Sequence, residues 1–255
     1  MKTHRVTIPC CTLVSAILFL PPTTSANTVV MASDDAIIQP GGPRTTNGGT
    51  TLVNYFFNAE GSNNGSFSSF AVADFQMPAG VTFGPTDTLS LLLTQDDAAF
   101  TVNGSLLFYL TSDTTTNIGL GSPLIFNSAS LPTGLDSQLS QRYLLGTGTF
   151  AEGTSGQTDV FTFSPTGAAL SYLASDVGTG GLVRLIVAPG DPNVAATYAG
   201  ISNLTYPNGG PELIISAVPE PSYGWLGAGL LAALCGFRHW KAQLTRSVPR
   251  ATSCR

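Results

Sequence analysis

Acidic side chains are the groups of this sequence best suited to chemistry. All 15 Asp and Glu residues of the 255-residue chain lie between Asp34 and Glu220. Two carboxylates held about 5 to 9.5 Å apart can hydrolyse a glycosidic bond. The adjacent acids Asp34-Asp35 and Asp96-Asp97 form no ready pair of this kind, because neighbouring residues of a strand point to opposite faces. We therefore expect no enzyme, and a secreted glycan hydrolase that uses two carboxylates stays as the alternative.

Some of these acids are candidates for binding a cation. Ca²⁺ takes about six to eight oxygen ligands, from carboxylates, loop carbonyls and water, in a flexible geometry. Asp34, Asp35 and Asp191 are the candidate ligands, because each is expected at the end of a strand near a glycine-rich loop. The sequence has no Asp-x-Asp-x-Asp-Gly ladder. Calcium is thus the candidate cofactor, and these three residues are where we look for it.

Other kinds of site are excluded by composition. Residues 27 to 222 contain no Cys, His or Lys. This span therefore has no Cys/His zinc site, thiol nucleophile, Ser-His-Asp triad, Schiff-base lysine or disulfide. It carries three Arg against 15 acidic residues, a formal charge of −12. Because such a surface repels phosphates, we expect no nucleic-acid partner.

The domain that carries these acids is predicted to consist of β-strands joined by turns. Leu89, Leu91 and Leu93 alternate with other residues, which is typical of a strand with one buried face. Strands are predicted for Thr51–Phe57, Phe67–Phe75, Thr88–Thr94, Ala98–Val102, Leu106–Thr111, Thr158–Phe163, Leu182–Ala188 and Glu212–Ala217.

Turns and the one helix complete this prediction. The Asn-Gly pair inside Val102–Ser105 predicts a hairpin between two apolar runs. A short helix is predicted over Ala168–Leu173. Many short strands with this spacing predict an all-β fold, a single jelly-roll-like β-sandwich domain over residues 27–217.

The order of the segments resembles a known class of module. Residues 69–75 (SFAVADF), followed by GGLVRLIV and GPELIIS, are similar in order to DNRLRE-type jelly-roll modules, which are related to carbohydrate-binding modules. The resemblance implies extracellular polysaccharide as a candidate ligand. Sugars stack on exposed aromatic side chains, and Tyr198 and Tyr206 lie in a loop-like stretch, so we predict these two as the exposed pair.

The N-terminal 26 residues have the composition of an export signal. Lys2 and Arg5 precede an apolar stretch that ends at Leu20, and small residues follow. These are the three regions of a secretory signal peptide. We predict residues 1–26 as the signal peptide, with signal peptidase cutting between Ala26 and Asn27.

The last 38 residues have three parts in a fixed order. They are a Pro-Glu-Pro segment, an uncharged apolar run (Tyr223–Phe237) and a basic tail (238–255). Basic residues after an apolar run hold that end in the cytoplasm, so the acidic domain is expected across the membrane. Proline disfavours helix formation, so we expect the Pro-Glu-Pro segment to stay extended outside the bilayer.

This arrangement resembles the PEP-CTERM sorting signal of Gram-negative bacteria. The resemblance implies recognition by an exosortase-type sorting enzyme and a link to exopolysaccharide and biofilm. In residues 218–255 it implies a recognition motif (Pro219, Glu220, Pro221 and Ser222), a transient membrane helix over 223–237 and a membrane stop at Arg238 and Lys241.

Together the two ends predict where the protein works. We expect export, tethering to the inner membrane during sorting, and a final place at the cell surface or in the extracellular matrix. The expected role is structural or adhesive and non-catalytic, with polysaccharide as the candidate ligand. A periplasmic protein anchored by an unprocessed tail is the second alternative.

Overall fold

The computed structural model describes residues 27–47, 50–51, 54–96 and 101–217. The predicted signal peptide, recognition motif, membrane helix and basic tail lie outside these residues and stay predictions. Asn27, the first residue after the predicted cleavage point, is exposed. No helix in the described part of the chain combines the length and apolar character that a membrane crossing requires.

The described residues form strands joined by turns and loops, with one α-helix. The strands are β1 (Thr28–Met31), β2 (Asp34–Gln39), β3 (Gly42–Pro43), β4 (Thr46–Asn47), β5 (Thr50–Thr51), β6 (Phe56–Glu60), β7 (Phe70–Gln76), β8 (Thr88–Thr94), β9 (Gly104–Thr111), β10 (Arg142–Phe150), β11 (Thr158–Phe163), β12 (Leu182–Pro189), β13 (Ala195–Ala199) and β14 (Glu212–Ser216). The helix α1 spans Gly167–Gly178, and a 3-10 segment spans Ser62–Phe67. The all-β prediction is confirmed.

The larger strands are arranged in antiparallel sheets. One sheet has six strands in the order β10-β9-β12-β7-β2-β3, and another has four in the order β1-β14-β8-β11. Strand β13 pairs with β6, and β4 pairs with β5. The first and last strands of the domain are neighbours, since Thr28 of β1 lies opposite Ile215 of β14.

A sandwich-like core lies between these sheets. Leu89, Leu91 and Leu93 of β8 are fully buried, as their alternation predicts. They share one apolar cluster with Phe108 of β9 and Phe57 of β6. Burying side chains of this size contributes about 1.5–3 kcal/mol each. The core therefore holds the six-stranded sheet against the strands that face it.

The outer face of the six-stranded sheet is covered as well. Residues 112–141, between β9 and β10, form what we call the covering segment. Its apolar side chains, including Leu124 and Phe126, pack with Phe70, Val72 and Ile186 of the sheet in a second cluster. Strands β7 and β12 are buried on both faces, so apart from Asp74, Gln76 and Arg184 their residues are apolar and show little alternation.

The predicted hairpin at Val102–Ser105 is wrong. Strand β9 begins at Gly104 and pairs with β10 and β12, whereas Val102 forms a bridge with Ala195. Asn103 does not adopt the left-handed conformation of a tight hairpin; its Oδ1 accepts a hydrogen bond from the Glu152 N–H at 2.7 Å. The helix prediction is confirmed in place, although α1 extends beyond Ala168–Leu173 at both ends.

Candidate functional site

Strand β12 separates the predicted cation ligands into two places. Arg184, near its start, lies opposite Asp74 of β7, and Asp74 lies opposite Asp34 of β2. Asp191 follows the other end of β12, seven residues after Arg184. At about 3.3 Å per residue this is roughly 23 Å of extended chain. Asp191 therefore cannot share an ion with Asp34 and Asp35.

Asp191 organises a loop. Its Oδ2 accepts a hydrogen bond from the Ser105 N–H at 2.8 Å, and its Oδ1 accepts from the N–H groups of Asn193 and Val194 at 3.0 and 2.9 Å. Partial burial opposes ionisation, but these hydrogen bonds outweigh it and hold the pKa of Asp191 below its ordinary value. Both oxygens of its carboxylate therefore already accept hydrogen bonds from backbone N–H groups of the protein.

Asp34 and Asp35 lie in a group of residues that we call the Asp35 cluster. It consists of Asp34 and Asp35 at the start of β2, Asn54 before β6, and Gly200–Ile201 after β13. Asp34 Oδ1 accepts hydrogen bonds from the Asp35 N–H and from Asn54 Nδ2, both at 2.9 Å. Asp35 Oδ2 accepts one from the Ile201 N–H at 3.0 Å. Three segments far apart in sequence thus meet around two carboxylates.

Burial makes the Asp35 carboxyl unusual. The residue is 0% exposed. Loss of hydration raises its pKa from 3.8 to about 8; the hydrogen bond from the Ile201 N–H lowers the pKa, and the Asp34 charge raises it further. The side chain thus points into the protein interior, where its ionised form is disfavoured by both its surroundings and its neighbour.

Two oxygens of the cluster have no hydrogen-bond partner in the protein. They are Asp35 Oδ1 and Asn54 Oδ1, and both atoms are buried. The amide of Asn54 cannot simply be turned over, because its Nδ2 donates to the Asp34 carboxylate, which accepts only. Buried polar atoms in proteins are nearly always paired. The cluster therefore presents acceptor oxygens that lack a donor or a cation.

The backbone around the cluster is tightly packed. Asn54 adopts a left-handed conformation, with φ of 63°, which Asn tolerates better than most residues. Its carbonyl accepts a hydrogen bond from the Ser202 N–H at 2.9 Å. A Cβ on Gly200 would lie 2.2 Å from the Asn54 carbonyl oxygen and 2.9 Å from Asp35 Oδ2. A side chain at residue 200 would therefore force the surrounding backbone to shift.

Several other carboxylates of the described residues have partners within the protein. These partners are Arg184 for Asp74, Gln95 and Tyr198 for Asp159, Thr115 and Thr116 for Asp113, Asn58 for Glu60, and Asn203 for Asp96. Asp34 and Asp74 lie opposite each other on neighbouring strands. They do not form a free pair of acids, because Arg184 binds both oxygens of Asp74. In the described ranges no three Asp, Glu, His or Cys side chains form a metal-binding group.

The prediction that Tyr198 is exposed is wrong. Tyr198 belongs to β13, is fully buried, and donates a hydrogen bond from its hydroxyl to Asp159 Oδ2 at 3.0 Å. Tyr206 is half-buried, and its hydroxyl contacts that of Ser155. The sequence did not indicate the pair Tyr143 and Tyr172, whose rings stack 5.5 Å apart between β10 and α1. Neither did it indicate Asn54.

The described residues define an all-β protein of antiparallel sheets, in which the buried Asp35 lies next to the half-buried Asp34. No protein-family model matches the chain, and no curated protein matches it.

Proposed function

We propose that this chain is an exported, non-catalytic structural or adhesive protein of the cell surface or extracellular matrix. Its described part is proposed to be a jelly-roll-like sandwich that signal peptidase releases at Ala26-Asn27. An exosortase-type enzyme then recognises Pro219–Ser222 while residues 223–237 cross the inner membrane.

The observation that carries the non-catalytic role is the engagement of the carboxylates. Hydrolysis of a glycosidic bond requires two acids that face a common substrate. Asp74 is neutralised by Arg184, Asp159 accepts hydrogen bonds from Gln95 and Tyr198, and Asp191 closes a loop. Side chains bound in this way stabilise the fold and have little freedom to exchange protons with a substrate.

The charge distribution supports export and sorting. Seven of the ten basic residues lie at the two ends of the chain beside apolar runs, and only Arg44, Arg142 and Arg184 lie within the acidic span. Membrane insertion uses basic residues in this arrangement. The acidic span is also suited to a hydrated matrix, because net charge keeps a secreted domain soluble.

The sorting proposal is tested by intact mass. The full chain is produced in a Gram-negative host with an exosortase, and in the same host without it. We expect released protein that begins at Asn27 and ends within or near Pro219–Ser222, in the first host alone. Glu220→Gln should block release, whereas Glu152→Gln, on an exposed loop, should not. Released protein that retains Arg255 would overturn sorting, and a membrane-bound chain in both hosts would favour the tail-anchored alternative.

The structural role is tested on the released protein. We expect it to co-sediment with exopolysaccharide of the producing cells and to release no reducing sugar from it. Release of reducing ends that disappears with one Asp→Asn or Glu→Gln substitution would establish the hydrolase alternative.

A further inference from the structure

The strongest unexplained feature of the domain is the pair of unpartnered oxygens in the Asp35 cluster. Leaving a buried polar atom without a partner costs about 1–3 kcal/mol, and more for a charged group. Here Asp35 Oδ1 and Asn54 Oδ1 are both buried without a hydrogen-bond partner, although the other polar groups of the cluster are hydrogen-bonded. Two such costs at one place point to a missing electropositive group.

The chemistry of the atoms restricts that group. A carboxylate oxygen and an amide oxygen only accept, so the cluster needs a donor or a cation. A single proton on Asp35 would serve Asp35 Oδ1 and would neutralise only one of the two carboxylates. The charge that acts on Asp35 is that of Asp34 and has the same sign. A divalent cation would serve the oxygens and balance both carboxylates.

We propose that Asp34, Asp35 and Asn54 bind a Ca²⁺ ion, with Asp35 Oδ1 and Asn54 Oδ1 among its ligands. Although neighbouring strand residues alternate in direction, Asp34 is the first residue of β2, and its Oδ1 already accepts hydrogen bonds from both the Asp35 N–H and Asn54 Nδ2. Two carboxylates and one amide oxygen form a hard, all-oxygen ligand set, which suits Ca²⁺ better than a transition metal. Asp34 and Asn54 are only half-buried, so water can complete the coordination from the solvent side. The site combines two acids with one neutral amide ligand.

Such an ion would join segments that are distant in the chain. Asp34 and Asp35 begin β2, Asn54 precedes β6, and Asp35 Oδ2 is bonded to Ile201 after β13. An ion that binds only this folded arrangement stabilises it, by an amount that grows with the ion concentration. The ion is thus a structural element of the domain and does not depend on how the protein is sorted.

The test uses the purified exported protein, stripped with EDTA and dialysed at pH 8.5. We expect CaCl2 to raise Tm and to bind with one ion per chain by calorimetry, and MgCl2 at the same concentration to give a smaller shift. Asp35→Asn should remove the calcium-dependent shift. This variant resembles the protonated carboxyl, so it should fold without the ion.

Two further variants locate the ion. Asp34→Asn should weaken binding at least tenfold, because one of the two carboxylate charges is lost. Asp191→Asn is the matched control: it removes an acid at the other end of β12, and should lower Tm while keeping the full calcium shift. An equal Tm for the parent protein in CaCl2 and in EDTA would overturn the proposal and leave a proton as the partner of Asp35. A shift that survives Asp35→Asn would overturn the assignment of these ligands.

Discussion

Arg184 of β12 and Asp74 of β7 form a two-pronged ion pair in the interior of the protein. Arg184 Nε lies 2.6 Å from Asp74 Oδ1, and Nη2 lies 2.8 Å from Oδ2. The remaining nitrogen, Nη1, donates to the carbonyl oxygens of Asp113 and Thr116 in the covering segment. The pair thus connects the sheet to the segment that closes its outer face.

Loss of Arg184 should be strongly destabilising. Arg184→Met leaves the Asp74 carboxylate buried without a counter-ion and frees two carbonyls of the covering segment. We expect a loss of about 3–5 kcal/mol in the free energy of unfolding, measured by urea denaturation. Proteolysis should also cut within residues 112–141 sooner than in the parent protein. The double variant Asp74→Leu/Arg184→Met should recover part of the loss, since no buried charge remains; equal losses in the single and double variants would contradict this account.

The stability of the calcium-free protein should depend on pH through Asp35. Its pKa is about 8 in the folded protein, against an ordinary value of 3.8. Between these values the folded protein binds more protons than the unfolded chain, so this contribution is complete below about pH 4 and is lost as pH rises through about 8. We expect a decline on the order of a few kcal/mol in EDTA.

The difference between the parent protein and Asp35→Asn isolates this effect. Urea titrations from pH 5 to pH 9 should show a steeper decline for the parent protein, because Asn does not titrate. Parallel profiles for the two proteins would mean that Asp35 ionises at the same pH in the folded and unfolded states.

Gly200→Ala should disturb the backbone that supports the Asp35 cluster. The new methyl group would meet the Asn54 carbonyl oxygen at 2.2 Å, and backbone atoms cannot move aside cheaply. We expect a loss of about 1–3 kcal/mol by urea denaturation. Gly41→Ala is the control, because nothing lies within 4 Å of a Cβ there. A Gly200→Ala variant as stable as the control would show that this contact relaxes without cost.

Tyr198→Phe should cost stability and leave any polysaccharide binding unchanged. The variant removes the hydroxyl that donates to Asp159 Oδ2 while retaining the buried ring. A hydrogen bond to a charged group contributes about 1.5–3 kcal/mol. Tyr206→Phe, near the surface, should change Tm much less. Loss of exopolysaccharide co-sedimentation with Tyr198→Phe at unchanged Tm would make Tyr198 a ligand contact after all.

The regular strands were predictable, and the irregular ones were not. The bounds of β8 and β11 match the prediction, because their apolar residues alternate and one face is buried. Strand β10 was missed because its LLGTGTF sequence is rich in glycine and threonine. It is an edge strand beside β9, and its buried Phe150 joins the main core cluster. The covering segment was also missed, because its apolar residues have neither strand nor helix periodicity. They become core residues only by packing against the sheet.

The candidate site was predictable in composition but not in arrangement. Asp34 and Asp35 were chosen with Asp191 because all three lie near strand ends, and the strand register that separates them cannot be obtained from one sequence. Asn54 has no local signal, since its contact with Asp34 joins residues 20 apart. Long-range pairing therefore decides which of the acids can act together.

The pairing of β1 with β14 determines how the domain would respond to a mechanical load. The strands are antiparallel, and Thr28 and Ile215 lie opposite each other where the chain enters and leaves the domain. Hydrogen bonds of an antiparallel pair run perpendicular to the strands. A pull applied between the two ends would therefore open these bonds one after another, starting at Thr28. A matrix containing this domain would yield at low force if it were stretched through both ends, whereas a domain attached by one end alone would carry no tension across this strand pair.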